Sequence, residues 1–144
     1  MEGRTSLSRA MVERRLRVAG DVSAAARARQ LVAHFRGERQ RVDEARLLLN
    51  ELVMGAQYDG VEFVDVRVMA FTGCLRLEVK RPHRRPMSQS RLQLTPAGQI
   101  GRLLIERLAD RWGDDGLLAW CELEGEWIAA DVPVYLSGAV QPST

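Results

Sequence analysis

The side chains best equipped for chemistry in this chain are arginines. Residues 81–86 read R-P-H-R-R-P, which places Arg81, Arg84 and Arg85 in one short segment. A guanidinium keeps its charge at any relevant pH and forks onto carboxylates and phosphates. The cluster therefore suits an acidic protein partner or nucleic acid; the plain alternative is a solvated loop. Two further candidates are Glu51, within A-R-L-L-L-N-E-L-V-M-G-A (45–56), and the glycine-containing helix start at Gly98 and Gly101, followed by Arg102. Backbone N–H groups at a helix N-terminus can receive a phosphate. A short Gly-containing start serves equally well as simple capping.

Other chemistries lack their spacing. His34 and His83 are far apart, and neither has a Cys or an acid at ligand spacing, so no metal site is expected. Cys74 and Cys121 stand alone in strand-like segments and read as reduced core thiols. Ser88 and Ser90 have no nucleophile-elbow context. Asp114-Asp115 reads as a solvated turn and Asp43-Glu44 as a helix N-terminus. Nothing here supports a hydrolase or an oxidoreductase.

The elements that must position these residues follow from periodicity. With 144 residues the chain suits one domain, expected over 11–136, with 1–10 and 137–144 as flexible ends. Residues 11–18 alternate loosely, as an edge strand would. Asp21 or Ser23 can cap a helix whose apolar face is Ala24, Ala28, Leu31, Val32 and Phe35, ending at Gly37. Val42, Ala45, Leu48, Leu49, Leu52, Val53 and Ala56 fall at helical spacing and mark a second helix. Residues 61–70 and 74–80 read as a hairpin through Thr72-Gly73, with Leu75, Leu77 and Val79 on one face and Arg76, Glu78 and Lys80 on the other. Residues 81–97 read as a long loop. A third helix is expected from Gly98 to Trp112, with Ile100, Leu103, Leu104, Leu108 and Trp112 on one face. Strands at 117–124 and from Trp127 to Leu136 close the pattern, the last suited to a sheet edge by Pro133. No apolar run approaches the roughly 18–20 residues that cross a bilayer. The net charge is +2, and Lys80 is the single lysine.

The segments A-R-L-L-L-N-E-L-V-M-G-A (45–56) and R-L-A-D-R-W-G (107–113) resemble the ATPase domain of the bacterial anti-sigma-factor serine kinases, a branch of the gyrase and histidine kinase superfamily. The resemblance runs from about Ser23 to Leu123. In that family an N-terminal strand and helix precede a helix carrying E-L-V-x-N-A. A hairpin then bears the adenine-binding Asp, a lid follows, and a Gly-rich helix start and a closing strand come last.

The resemblance gives each position an implied role. Glu51 matches the Glu that acts as or orients the general base. The Asn that holds the magnesium of MgATP is replaced by Gly55, and the His that follows it by Tyr58 or Asp59. Magnesium demands oxygen ligands in octahedral geometry, and a glycine side chain supplies none. The family's hairpin ends V-x-D-x-G/S, and its Asp accepts the adenine amine. Here it ends V-K-R-P, with Arg81 in that place. Arginine has donors and no acceptor. Of the family's G-x-G-L, Gly101 remains in frame, with Gly98 one place out; Arg102 beside it could meet a phosphate. The closing strand G-K-T-V-W-A-E-L becomes Gly116 to Leu123 with Leu117 replacing Lys, and Trp112 and Trp120 are core aromatics.

The expected fold is thus α+β: an ATPase-type two-layer sandwich, mostly antiparallel, with about three helices on one face. The expected function is a regulatory protein-interaction module of the anti-sigma-factor family, cytoplasmic, in bacterial transcriptional or developmental control. Its former ATP pocket is marked by Glu51, Gly55, Arg81, Gly101 and Arg102. Arg81, Arg84 and Arg85 would meet a sigma factor or antagonist-like protein. A homodimer through the first strand and helix follows from the resemblance, and neither cofactor nor metal is expected. The alternative is an ATP-binding anti-sigma factor or protein serine kinase that uses MgATP, with Glu51 catalytic. A nucleic-acid-binding regulator ranks third, because no helix-turn-helix is evident.

Overall fold

Period-two alternation builds one antiparallel sheet, and two helices with apolar stripes cover one of its faces. The structure is a computed structural model and describes residues 10–84 and 96–130. Its elements are β1 (Val12–Ala19), α1 (Ala24–Val32), β2 (Phe35–Arg36), α2 (Arg39–Tyr58), β3 (Phe63–Phe71), β4 (Cys74–Lys80), α3 (Pro96–Leu108), β5 (Arg111–Asp114), β6 (Leu118–Glu124) and β7 (Ile128–Ala129). The main sheet runs β1-β3-β4-β6-β5, and β2 pairs with β7 in a separate two-stranded sheet. Every pairing is antiparallel. The architecture is a two-layer α+β sandwich, with α1 and α2 packed on the sheet and α3 on α2. Among the described residues no helix is long and apolar enough to cross a membrane.

The core lies between the layers. Ala45, Leu48, Leu49, Leu52, Val53 and Ala56 of α2 are buried, as their helical spacing requires. They meet the inward row of the sheet, including Val64, Val66, Val68, Leu75, Leu77, Cys121 and Leu123. β3 and β4 turn through Thr72-Gly73, where Gly73 adopts φ +90°, a left-handed conformation that side chains resist. β1 forms an edge of the sheet as its loose alternation suggests.

Several local expectations are corrected. The N-cap of α1 is Ser23, one of the two residues expected there, but its side chain makes no cap bond to the helix; the Asp21 carboxylate accepts from the Ser23 amide (2.9 Å) and hydroxyl (2.7 Å) instead. The helix ends at Val32 rather than Gly37, because Phe35 and Arg36 are drawn into pairing with Ala129 and Ile128. Gly37 has a different role: a Cβ there would come within 2.7 Å of the buried Trp127 ring.

The third helix also stops early, at Leu108. Residues 111–114 become β5, and the Asp110 amide donates to the Glu122 carbonyl at 2.9 Å. Trp112 is therefore a strand residue. The expected apolar face of this helix is rotated too. Gly98 and Gly101 are buried, Leu104, Ile105 and Leu108 are half-buried, and Ile100 and Leu103 project outward. The final strand is limited to β7 among the described residues, and it leaves the main sheet to join β2. Arg85, most of the expected loop, both expected flexible ends and residues 131–136 lie outside the described residues.

Candidate functional site

The positions that the resemblance assigns to a nucleotide lie on three elements: the second half of α2, the start of α3 and the residue after β4. The packing of α3 on α2 brings Glu51 and Gly101 together. A Cβ built on Gly101 would overlap Glu51 Oε1, so the carboxylate rests on the bare backbone of α3. The expected helix start at Gly98 and Gly101 is corrected: α3 begins at Pro96, so Gly101 lies in its second turn, beyond the first four N–H groups that a helix leaves free for a phosphate. One turn along α2, Gly55 offers no ligand oxygen from its side chain. Among the described residues no three His, Cys, Asp or Glu side chains converge as metal ligands.

Arg102 turns away from this contact. Its guanidinium stacks over the Trp112 ring at 4.6 Å, and its Nε donates to Glu106 Oε2 at 3.1 Å. Both partners lie on its own side of α3 or on β5, so the Glu51–Gly101 contact gains no donor from it.

Arg81 holds the third position, and its environment corrects its expected role. The sequence placed it with Arg84 and Arg85 as a partner-binding residue. Instead it is buried, with Nη1 2.9 Å from Oδ2 of the equally buried Asp59. Asp59 is the C-terminal cap residue of α2. The Arg81 amide donates to the Leu117 carbonyl at 2.8 Å, which continues the β4–β6 pairing by one residue. Arg81 is thus internal structure, unable to reach a partner without unfolding its surroundings. Arg84 alone of the described pair is exposed. Its Nη1 donates to the Asp115 carbonyl and lies 3.8 Å from the Asp115 carboxylate. Nearby, His83 Nε2 stands 3.5 Å from Glu62 Oε1 at the surface.

The residues given as one former pocket therefore fall into two groups. Glu51 and Gly101 meet in the α2–α3 contact, with Gly55 one turn further along α2. Arg81 belongs to the α2–β4 junction, and its partner Asp59 occupies one of the two positions where the resemblance expects a His.

The opposite face of the sheet carries an array that the sequence reading did not single out. Arg15, Arg17, Arg67, Arg76 and Arg111 interleave there with Glu13, Asp65, Glu78, Glu122 and Glu124. Arg67 Nη2 meets Glu78 Oε1 at 2.8 Å, and Arg76 bridges Glu78 (2.7 Å) and Glu122 (2.9 Å). Arg111 Nε then donates to Glu122 Oε1 at 2.7 Å. Arg76 also stacks over Trp120, 4.3 Å from its centroid. Gly113 makes room for that indole, since a Cβ there would approach Trp120 Nε1 at 2.6 Å. The ladder explains how Arg76, Glu78 and Glu122 can be buried on a nominally polar face: each is matched by an opposite charge in register. The signal was present as period-two charge alternation in R-L-E-V-K, set against E-R-R-L-R and D-V-R.

Compared with known proteins, the chain matches no family model, and no curated protein is significantly similar to it.

Proposed function

We propose that this chain is a regulatory protein-interaction module of the anti-sigma-factor type, in which internal packing has taken over the nucleotide pocket. The observation that carries this reading is the buried Arg81–Asp59 ion pair. The resemblance requires an acceptor for the adenine amine at position 81. A guanidinium offers only donors, and these are turned inward to a carboxylate. The Glu51 carboxylate on Gly101 and the absence of a side chain at Gly55 act in the same direction, against phosphate and magnesium. Phosphoryl transfer depends on positioning and charge stabilisation, so weakening these three contacts together removes its basis. The order of elements, strand and helix, acid-bearing helix, hairpin, third helix and closing strand, is the order the resemblance implies and supports the assignment of scaffold.

On this reading the chain acts by binding an acidic surface of a sigma factor or antagonist-like protein in bacterial transcriptional or developmental control. Arg84 is the exposed contact, with Arg85 beside it in sequence. The outer edge of β1 supports a homodimer through the first strand. Titration calorimetry with ATP, with and without magnesium, tests the pocket. The expected result is no heat at millimolar nucleotide. Magnesium-dependent micromolar binding would overturn the reading and put a serine kinase first. For the partner, Arg84→Glu should abolish specific protein capture while leaving the melting temperature unchanged.

A further inference from the structure

The sheet face turned away from the helices holds a cavity of about 590 Å³, bounded by β1, β3, β4 and the turn before β6. That volume lies within the range of small-molecule sites, roughly 300–1,000 Å³. Arg17, Asp65, Lys80 and Leu118 are successive neighbours in register across it. Lys80 is exposed and, although Asp65 is its register neighbour, forms no ion pair with any described residue.

The neighbouring arginines have donors to spare. Arg15 directs Nε to Glu13, leaving both of its Nη groups. Arg17 directs Nε and Nη2 to Asp65 at 2.7 and 3.1 Å, leaving Nη1. Asp65 itself is already satisfied: the Arg17 hydrogen bond, and then the charges of Arg17, Lys80 and Arg15, hold its carboxyl below the usual range. Arg15 and Arg67 also face each other in register, a like-charged pair that is unfavourable by itself. Glu13, bonded to Arg15 and 3.7 Å from Arg67, and Glu78, 2.8 Å from Arg67, offset it.

We propose that this trough binds a small, multiply charged oxyanion, a phosphate ester or a dicarboxylate. Lys80 and the spare N–H groups of Arg15 and Arg17 hold the anionic groups, and Leu117 and Leu118 receive the carbon skeleton. Guanidinium and ammonium donors to an oxyanion make short, charge-assisted bonds. A long polyanion is disfavoured, because Asp65, Glu78 and Asp115 also line the cavity. The site lies across the sheet from Glu51 and Gly101 and is independent of the proposed function.

The test is an NMR titration of the full chain with pyrophosphate and, separately, succinate, with potassium chloride holding ionic strength constant. The expected result is saturable shifts in the amides of residues 15–17, 65–67 and 78–80. Saturation by pyrophosphate alone identifies a phosphate ester, by succinate alone a dicarboxylate, and by both a general dianion site. Lys80→Ala should weaken binding about tenfold, and Lys80→Arg should retain most of it. The proposal is overturned if neither probe gives saturable shifts, if the shifts centre on Glu51 and Gly101, or if Lys80→Ala binds as well as the native chain.

Discussion

Arg81 Nη1 stands 2.9 Å from Asp59 Oδ2, with the two side chains only 6% and 7% exposed. Asp59 caps α2 and Arg81 follows β4, so this one pair fastens the end of the longest helix to the sheet. Two buried charges tolerate each other's presence far better than either tolerates being alone. Arg81→Ala or Asp59→Ala should therefore cost about 3–5 kcal/mol, and the double change Arg81→Met with Asp59→Leu should recover most of that loss. Urea unfolding followed by circular dichroism measures all three. Additive losses in the double variant would show that the two charges are not coupled.

Acid should destabilise the fold through particular carboxylates. Asp21, bonded by the Ser23 hydroxyl and amide, is held below its ordinary value of 3.8. So are Asp65, by Arg17, and Asp115, by the amides of Leu118 and Leu117. A carboxyl lowered on folding stabilises the native state only while ionised. Its contribution is complete above the unfolded value and disappears as pH falls through the folded one. The melting temperature should accordingly be level above about pH 5 and fall progressively below it. Asp65→Asn should make that fall shallower in scanning calorimetry. An unchanged acid limb would assign the loss to other groups.

The contact between Gly101 and Glu51 predicts a context-dependent substitution. Alanine is favoured over glycine inside a helix by about 1 kcal/mol. In the native chain that gain should be cancelled, since the new methyl overlaps the Glu51 carboxylate. In a Glu51→Ala background the same Gly101→Ala change should recover the full gain. A double-mutant cycle by chemical denaturation reads the difference directly; equal effects in both backgrounds would mean that the carboxylate moves aside without cost.

Thiol chemistry offers a probe of the core. Cys121 lies between the layers, and burial pushes its thiol up to about 12. Cys74 is equally inaccessible on the other face of the sheet. Thiolate is the reactive species, so neither should react with an aromatic disulfide reagent at neutral pH in the native protein. Both should react after denaturation. Rapid native labelling of Cys121 would reveal opening of the sheet.

Much of the scaffold was legible because its signals are local. The stripe from Val42 to Ala56 repeats at helical spacing, and Thr72-Gly73 separates two alternating runs, so α2 and the β3–β4 hairpin could be read directly. The ends of α1 and α3 were not. Phe35 has a helical pattern behind it but pairs with Ala129, far along the chain, and Trp112 leaves the apolar stripe of α3 to face Cys121 on β6. Tertiary pairing overrides helix propensity at both places. The environments of the candidate residues were not legible. Arg81 sits in an arginine-proline segment that looks solvated, and only the folded chain brings Asp59 against it. Arg76 and Glu78 alternate as an exposed face should, yet their ladder partners come from β3 and β6.

The small β2–β7 sheet gives the chain a temporal property. Phe35, Arg36 and the hollow beside Gly37 are made well before Ile128, Ala129 and the Trp127 ring that fills the hollow. Until then a nascent chain holds an unpaired strand and a vacant aromatic seat at the entrance to its longest helix. Domains fold as units when their distant contacts become available. For this one, the latch cannot close until residues 127–129 have been made, and a ribosome stalled before them would display Phe35 as a sticky patch to chaperones.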